Sequence, residues 1–407
     1  MEKFSSFITE EKNTHMTHIE DKVLYGGVKG TREAINALRS LRDMLAGKSS
    51  GSLSVKWDGA PAIFCGKDPS DGKFFVAKKG IFAKNPKVYK TSSEIDRDMS
   101  GDLATKMKEA LKYLPALGIT GVIQGDFLFS KKDVKTQTID GQKYTTFHPN
   151  TIIYAIPYDQ AQEVRDAQIG IVWHTTYTGS DFASMRASYG VNINALNKSS
   201  KVWSKNAMIK SFGSATLSSK ETSDVTALLS KCGTLFNSIS GSTLRELEKN
   251  QILAQHIEQY NNTFVRAGSL LPPSASHVNG LIKWIDKKYK GEMDKRKTDK
   301  GKKTQQDKLD IIMKFFSTTN KKSLINMFDL QKSIVLAKLK LINKLNSIEN
   351  TDAFVQTKKG YKVRTGAEGF VAIDKLGGDA VKLVDRMEFS YNNFSPDVLK
   401  GWDKPRK

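Results

Sequence analysis

The sequence predicts an α+β protein in which antiparallel sheets flanked by helices are interrupted by an inserted all-α region. Residues 52–175 contain short apolar runs bounded by turn residues, several of them alternating with polar residues, as is typical of strands. From about Ser218 to Asn350 the chain is lysine-rich, and its apolar residues recur at helical spacing. Strand character returns within residues 369–384, so the helical region interrupts a sheet domain.

The same changes of pattern place the domain boundaries. A chain of 407 residues is long enough for more than one domain. We expect residues 1–48 to form an N-terminal leader and a helix that packs on the core. Residues 49–215 and 351–407 are predicted to form one discontinuous sheet domain, and residues 216–350 a basic helical insertion domain.

The individual elements follow from local signals. Helical spacing of apolar residues predicts a helix from Arg32 to Leu45, with Thr31 as its N-cap. The turn-forming stretch Asp68–Gly72 separates two strands of a hairpin. The predicted strands of the first part are Leu53–Trp57, Ala62–Cys65, Lys73–Ala77, Gly121–Phe129, Thr151–Ile156 and Gly170–Thr175, with a helix at Met99–Tyr113.

The charge of the chain indicates a polyanionic partner. A formal net charge of +21 and a pI near 9.6 favour nucleic acid over a membrane, because no apolar span is long enough to cross a bilayer. A basic surface that serves only solubility is the alternative. The dense basic run from Lys283 to Lys303 is either a solvated loop or a phosphate contact. Its candidate nucleic-acid-binding residues are Lys287, Lys288, Lys295, Arg296, Lys297, Lys302 and Lys303.

Cysteine and histidine usage excludes other classes of site. The two cysteines, Cys65 and Cys232, lie far apart and without histidine pairs, which argues against a disulfide framework or a structural zinc site. The six histidines show no metal-ligand spacing. We therefore expect a reducing, cytoplasmic environment and a monomer.

A lysine in an apolar strand context is the most informative feature. Lys56 follows the run Leu53–Val55 and is followed by Asp58 and Gly59. Such an ammonium must be desolvated or paired, and a lysine in this setting is readily turned into a nucleophile. The motif has few fixed positions, so its weight depends on whether further charged groups occur later in the chain. They do occur, on later strands, in the order Lys78, Lys79, Asp126, Glu368 and Lys382.

In this order the motifs resemble those of the covalent nucleotidyltransferase superfamily of ATP-dependent DNA and RNA ligases and mRNA-capping guanylyltransferases, in particular a phage-type polynucleotide ligase. The resemblance covers roughly residues 50–180 and 360–390. The similar stretches are the Lys-x-Asp-Gly motif at 56–59, a Lys-Gly stretch at 77–81, an Asp-Gly-Glu-Leu-like motif at 124–127, an adenine-stacking strand at 151–159, Glu-Gly-x-Val at 368–371 and the last lysine motif at 381–383.

The resemblance implies a role for each matching residue. Lys56 would become adenylylated, with Lys382 stabilising the α-phosphate of ATP. Glu368 and Asp58 would hold Mg²⁺ or Mn²⁺, and Asp126 would bind the ribose. The remaining implied nucleotide-binding residues are Lys79, Tyr154 and Tyr158, the two tyrosines being candidates for stacking on adenine.

Two departures from the family pattern bear on activity. The last motif usually carries two lysines at alternate positions, and here the second is Val384, so that Lys382 would act alone or with Arg386. The helical insertion is also longer than usual. The short stretch after Lys382 leaves no room for an OB-fold, which favours RNA slightly over nicked DNA as the substrate.

The resemblance therefore predicts an ATP-dependent ligase that joins 5′-phosphate and 3′-OH ends through a lysine–AMP intermediate. Two alternatives stand beside it: a non-catalytic nucleic-acid-binding or virion-packaged protein with a degenerate ligase fold, and a GTP-using capping-type enzyme. The leader Met1–Glu11 resembles head-targeting leaders of some phage internal proteins. It points to phage head components as partners, and to the infected cell or the virion as the location.

Overall fold

The structure is a computed structural model. It describes residues 18–49, 52–209, 216–316, 318–348, 352–358, 360–364, 368–373 and 380–401. The predicted leader at residues 1–11 lies outside these ranges. Within them, no helix is long and apolar enough to cross a membrane.

The strands of the described residues are short and mostly buried on at least one face. They are β1 (Ser52–Lys56), β2 (Ala62–Lys67), β3 (Phe74–Ala77), β4 (Val88–Tyr89), β5 (Val122–Ser130), β6 (Lys135–Ile139), β7 (Gln142–Phe147), β8 (Ile152–Pro157), β9 (Ile169–Thr178), β10 (Arg186–Tyr189), β11 (Val202–Asn206), β12 (Met208–Ile209), β13 (Asp352–Thr357), β14 (Gly360–Arg364), β15 (Gly369–Ile373) and β16 (Ala380–Leu383).

The helices fall before, between and after these strands. They are α1 (Lys22–Tyr25), α2 (Gly27–Leu45), α3 (Ser92–Asp98), α4 (Gly101–Tyr113), α5 (Gln162–Asp166), α6 (Ser219–Asn237), α7 (Gly241–Lys249), α8 (Gln251–Arg266), α9 (Ser274–Asp294), α10 (Asp299–Phe315), α11 (Thr318–Leu345) and α12 (Arg386–Phe394).

The strands form three sheets. The first sheet has the order β12-β1-β15-β16, the second β10-β9-β5-β2-β3-β4 with β11 beside β9, and the third β14-β13-β8-β7-β6. Among the described pairs, β11 and β9 run parallel and the others run antiparallel. The predicted α+β class, with antiparallel sheets and flanking helices, is confirmed.

Strand pairing brings distant parts of the chain together. In the first sheet β1 pairs with β15 so that Lys56 lies opposite Gly369, and β15 pairs in turn with β16. In the third sheet β8 pairs with β13, from the far side of the helical region. The residues before and after the helices therefore build one set of sheets, as a discontinuous domain requires.

Helix α2, near the N-terminus, packs with the helices that lie between the two groups of strands in the chain. We call these helices together the helical layer. Helix α2 packs on α6, α7 and α11, and buries Leu38 and Leu41 in the same cluster as Leu244 and Leu341. Its apolar stripe meets those of other helices, and helices with such stripes bury them against each other. The same buried cluster also contains Leu53 and Trp57, so these contacts do not contradict the expectation that this helix packs on the core.

A buried ionic joint connects the helical layer to the last strand. The Lys338 ammonium of α11 donates to both carboxylate oxygens of Glu20 at 2.8 and 3.0 Å, and the two side chains are only 0% and 4% exposed. Next to it Arg386 of α12 donates to Asp21 at 2.7 Å. His18, in the same N-terminal segment, pairs by its backbone with Lys382 of β16. We call the residues Glu20, Asp21, Lys338 and Arg386 the buried joint.

Candidate active site around Lys56

Lys56 is the last residue of β1, and the loop that follows it lies tightly on β5. Ala60 donates its N–H to the carbonyl of Phe127 at 2.9 Å, and Phe127 donates to the carbonyl of Pro61 at 3.0 Å. A Cβ on Gly59 would lie 2.6 Å from the Cβ of Asp126, so the approach requires glycine. The loop thereby brings Lys56 of the first sheet close to Asp126 of the second.

Glu368 is the partner of Lys56. Its carboxylate accepts a hydrogen bond from the Lys56 ammonium, although the two residues are 312 positions apart. Glu368 is buried, whereas 29% of the Lys56 side chain remains exposed. Burial by itself lowers the pKa of Lys56, but the charge of Glu368, with smaller contributions from Asp126 and Asp58, raises it above its usual value. Lys56 is therefore an ammonium in this state.

For Glu368, the other member of the pair, burial has the largest effect on the pKa. It raises the pKa of Glu368 above its usual value, although the Lys56 charge acts in the opposite direction. A carboxylate with a raised pKa is a better proton acceptor than an exposed one. Glu368 thus holds Lys56 in place and offers an acceptor for its proton.

Asp58 has a positioning role in the structure. Its Oδ2 accepts from the Thr151 N–H at 2.8 Å, from the Thr151 hydroxyl at 2.7 Å and from the Ile152 N–H at 3.0 Å. Its Oδ1 accepts from Asn150 Nδ2 at 2.7 Å. These donors fix the Lys56 loop to the start of β8. Only Oδ1, with one described donor, has capacity left for the metal role that the resemblance implies.

Asp126 lies near Lys56, and His174 lies next to Asp126. Burial raises the pKa of Asp126 to about 7, with Lys56 opposing the rise and Asp58 adding to it. His174 Nε2 lies 3.8 Å from Asp126 Oδ2, and burial together with Lys56 lowers the pKa of His174 to about 4. The imidazole is therefore neutral near pH 7. Sequence reasoning missed His174, because a single histidine in an apolar strand gives no signal of its own.

Lys382 approaches from β16. Residues Ser54, Val371 and Lys382 are aligned across β1, β15 and β16, which puts Lys382 on the same face of the first sheet as Lys56. Its Nζ lies 4.5 Å from the centre of the Phe389 ring. Burial, then the Lys56 charge, lowers the pKa of Lys382. We call Lys56, Asp58, Asp126, His174, Glu368 and Lys382 the lysine site.

Two residues after the last lysine motif, Val384 and Arg386, have defined surroundings in the structure. Val384 is fully buried, at the position where the family pattern usually has a second lysine. Arg386 is engaged by Asp21 at 2.7 Å in the buried joint. Arg386 is thus engaged in the buried joint while its charge still acts on Lys382, and its assistance to Lys382 stays a prediction.

The two tyrosines predicted to stack on adenine do not lie where adenine could reach them from the lysine site. Tyr154 is 1% exposed, packs against Trp57 and Phe147 with ring centres 4.7 and 5.5 Å away, and accepts a hydrogen bond from the Asp58 N–H at 2.6 Å. It is a core residue. Tyr158 follows the far end of β8, about 20 Å of strand from the Asp58 contacts. Its ring contacts Lys143 and Arg165, each at 3.9 Å.

Lys79 lies at the correct end of the second sheet. Strand β3 ends at Ala77, opposite Phe64, and Ala62 of the same β2 strand is opposite Asp126. Lys79, two residues past the end of β3, is exposed near this edge. This position agrees with the predicted phosphate contact, which stays a prediction.

Two further lysines reach the Lys56 loop from elements that the motif search passed over. Lys106 of α4 is buried, and its Nζ lies 3.4 Å from the carbonyl oxygen of Ala60 and 3.1 Å from Asp102. Lys205 of β11 lies over the Trp57 ring at 5.5 Å. Lysines are frequent in this chain, so neither could be singled out without the fold.

The carboxylates of the lysine site fit a metal ion only as a site shared with a nucleotide. Within the described ranges, no group of three or more His, Cys, Asp or Glu side chains could hold a metal ion by itself. Mg²⁺ is commonly held by one or two carboxylates together with substrate phosphates and water. Glu368, Asp126 and the Oδ1 atom of Asp58 offer such oxygens near Lys56.

The basic run is a helical hairpin rather than a solvated loop. Its lysines lie on α9, on α10 and in the short connection at residues 295–298. Lys288 is partly buried, donates to Gln259 at 2.6 Å and lies over Trp284, which indicates a packing role. Lys295 pairs with Glu292 at 2.8 Å. The other predicted contacts are exposed, namely Lys287, Arg296, Lys297, Lys302 and Lys303.

The fold and the site together define an α+β protein with a lysine–carboxylate site between two antiparallel sheets. The chain belongs to a family of unknown function, DUF6267, whose model matches residues 13–397. Neither the curated proteins nor the solved structures contain a significant match to the chain.

Proposed function

We propose that this protein is an ATP-dependent polynucleotide ligase that works through a lysine–AMP intermediate on Lys56. The observation that supports the proposal is the convergence of separate motifs on one lysine. Glu368 accepts a hydrogen bond from Lys56, and Asp126 and Lys382 reach the same site from other strands. Such a grouping of a lysine with carboxylates and a second cation suits nucleophilic attack on a phosphate.

The residues divide the first step among them. Lys56 Nζ forms the bond to the α-phosphorus, and the bond from that phosphorus to pyrophosphate breaks. Glu368, already hydrogen-bonded to Lys56, takes one proton from the ammonium and so frees the attacking amine. The second proton, which the nitrogen loses as the N–P bond forms, leaves with the pyrophosphate. Lys382 stabilises the negative charge on the α-phosphate, and Lys79 lies at the edge where the leaving phosphates would exit. A bound Mg²⁺ would supply further charge stabilisation on the phosphates.

Nucleic acid as the second substrate follows from charge. A net charge of +21 suits a phosphate backbone, and the exposed cations of the α9–α10 hairpin form a helical basic surface. We propose RNA as the slightly preferred strand, because the accessory part is helical, while nicked DNA stays a substrate to compare.

A second candidate is a nucleic-acid-binding protein that keeps the fold without the reaction. Two observations favour it. Glu368 keeps Lys56 charged, and an ammonium is not a nucleophile. Tyr154, the first candidate to stack on adenine, is buried in the core. In this case the same basic surfaces would bind a strand that is never joined.

Self-labelling with α-labelled ATP and Mg²⁺ tests the proposal. We expect label on the wild type and none on Lys56→Arg, which keeps a positive charge beside Glu368 but lacks the amine. The exposed lysine Lys108, replaced by alanine, is the matched control and should label normally. An unlabelled wild type, or label that survives in Lys56→Arg, would reject the ligase and leave the binding protein. Label from GTP instead of ATP would point to a capping-type enzyme.

A further inference from the structure

The third sheet is strongly curled. Gln137 on β6 donates to the Tyr361 hydroxyl on β14 at 2.8 Å, although these are the two outer strands of the five. In a flat sheet the outer strands would lie about 19 Å apart. The sheet is therefore a trough. Its convex face packs on the main core through Ile152 and Ala353, and its concave face holds a small separate cluster.

A cavity of about 260 Å³ lies at one end of the trough. Its apolar lining comes from Phe147, Ile153 and Leu399, and its amide lining from Gln137 and Gln356. The hydroxyl of the exposed Tyr361 accepts a hydrogen bond from Gln137 at 2.8 Å, so an aromatic side chain lies next to the lining of the cavity. This is the lining that a nucleobase needs: apolar contacts, amide groups for its edges and an aromatic ring for stacking.

The charged groups of the same cavity are mainly cationic. They are Lys132, Lys135, Lys400 and Asp133. Lys132 pairs with Asp102 at 2.6 Å, and the Asp133 carboxylate accepts the N–H of Ser130 at 2.9 Å. Lys135 is exposed on β6, and Lys400 closes the cavity from the C-terminal segment. These two lysines are placed to contact a phosphate.

The opposite end of the trough is lined by acidic instead of basic side chains. A second cavity there, of about 210 Å³, is lined by Asp140 and Asp352 and by no lysine or arginine. Tyr144 donates its hydroxyl to Asp352 at 2.8 Å. A polyanion is thus attracted to the Lys135 end of the trough and repelled from the other.

The basic end is tied to the lysine site. Gly401, in the cavity wall, donates its N–H to the carbonyl of Asn150 at 2.7 Å. The Asn150 side chain in turn donates to Asp58 at 2.7 Å. A strand held in this cavity therefore lies against Gly401, which is hydrogen-bonded directly to Asn150. Asn150 in turn holds the Lys56 loop through Asp58.

We propose that this cavity binds one nucleotide of a single-stranded polynucleotide, with the base over Ile153 and Leu399 and the phosphate at Lys135 and Lys400. Its volume, below the range of about 300–1,000 Å³ for small-molecule sites, suits a single unit rather than a duplex. The further role of this cavity, which is to present a strand end to Lys56, rests on the proposed ligase function. Strand binding itself does not depend on that function.

Fluorescence anisotropy with labelled oligo-U and oligo-dT tests the site. We expect Lys135→Glu to weaken binding roughly tenfold, and Lys135→Ala to reduce the slope of log affinity against log salt by about 0.7. Tyr361→Ala should weaken binding roughly fivefold or more if a base stacks on it. The matched control is Lys143→Glu on β7, an exposed lysine that contacts Tyr158 and does not line the cavity. It should change binding less than twofold.

The outcomes separate this site from the ligase proposal. Equal weakening by Lys135→Glu and Lys143→Glu would mean general charge attraction and would overturn the site. So would unchanged binding in Lys135→Glu, or displacement of the oligonucleotide by millimolar AMP or inorganic phosphate, which would indicate a free-nucleotide or anion site. Self-labelling without nucleic acid should be equal in all four variants. An unlabelled wild type would reject the ligase, while the anisotropy result would still decide the cavity.

Discussion

Two lysine–glutamate pairs in this protein have similar chemistry and different surroundings. Lys338 and Glu20 in the buried joint are 0% and 4% exposed, and Lys56 and Glu368 in the lysine site are 29% and 5% exposed. The glutamates are equally buried, so the difference lies in the access of solvent to the lysine. A reactant can reach Lys56 and cannot reach Lys338.

The neighbours of each pair sharpen this contrast. The buried joint is surrounded by partners that complete its charges, because Arg386 pairs with Asp21 and lies 3.9 Å from Glu258. Around Lys56, by contrast, stand a carboxylate with a raised pKa, Asp126, and a lysine with a lowered one, Lys382. Charges that are matched at close range suit a structural connection. Charges that are shifted and open to solvent suit binding and chemistry.

The largest effect is expected from breaking the buried joint. Lys338→Met leaves Glu20 without its partner in a sealed interior, and uncompensated buried charges of this kind cost about 3–5 kcal/mol. Urea denaturation should show a loss of this size in the free energy of unfolding. The double variant Lys338→Met with Glu20→Leu removes both charges and should recover most of it. A loss below about 1 kcal/mol in the single variant, as for an exposed pair, would contradict the contrast.

We expect Glu368→Gln to change stability less than Lys338→Met does, and to change mainly the reactivity of Lys56. Because Lys56 reaches solvent, losing its partner should cost about 1 kcal/mol. The pKa of Lys56 should fall, since burial and Lys382 then act without the opposing carboxylate. The pH dependence of trinitrobenzenesulfonate modification at Lys56, followed by mass spectrometry, measures the shift. An unchanged profile would mean that Glu368 does not control this lysine.

The sequence was sufficient to find the residues of the lysine site whose motifs have fixed neighbours. Lys56, Asp126, Glu368 and Lys382 were each predicted, and strand pairing brings them together. The antiparallel sheets and the helical region were also predicted from apolar spacing. These features depend on local patterns, which a single sequence contains.

Features that depend on packing could not be predicted. An aromatic residue in an apolar strand can face the core or a ligand, and only the fold shows that Tyr154 packs on Trp57. The contact of Glu20 with Lys338 spans 318 positions, and nothing local pairs them. The helices against which α2 packs could not be named for the same reason, because an amphipathic helix fits a sheet or another helix equally well.

The smallest effect separates the two regions by the size of the pH dependence of their stability. Burial raises the pKa of Asp126 to about 7 and, opposed by Arg386, that of Asp21 to about 6. With a raised pKa the folded state keeps a proton that the unfolded state releases above about pH 4, so this contribution to stability falls as pH rises toward the folded pKa.

Asp126→Asn removes that penalty without breaking a described hydrogen bond, and should raise the free energy of unfolding by roughly 1 kcal/mol at pH 8. The gain should vanish near pH 4. Asp21→Asn is the matched control from the buried joint. The pKa of Asp21 is raised less, because Arg386 opposes burial there, so its gain in the free energy of unfolding at pH 8 should be smaller than that of Asp126→Asn. Urea titrations of both variants at pH 4, 6 and 8 measure the difference. A gain at pH 8 that is as large for Asp21→Asn as for Asp126→Asn would show that Arg386 does not compensate the Asp21 charge, and would contradict the contrast between the two regions.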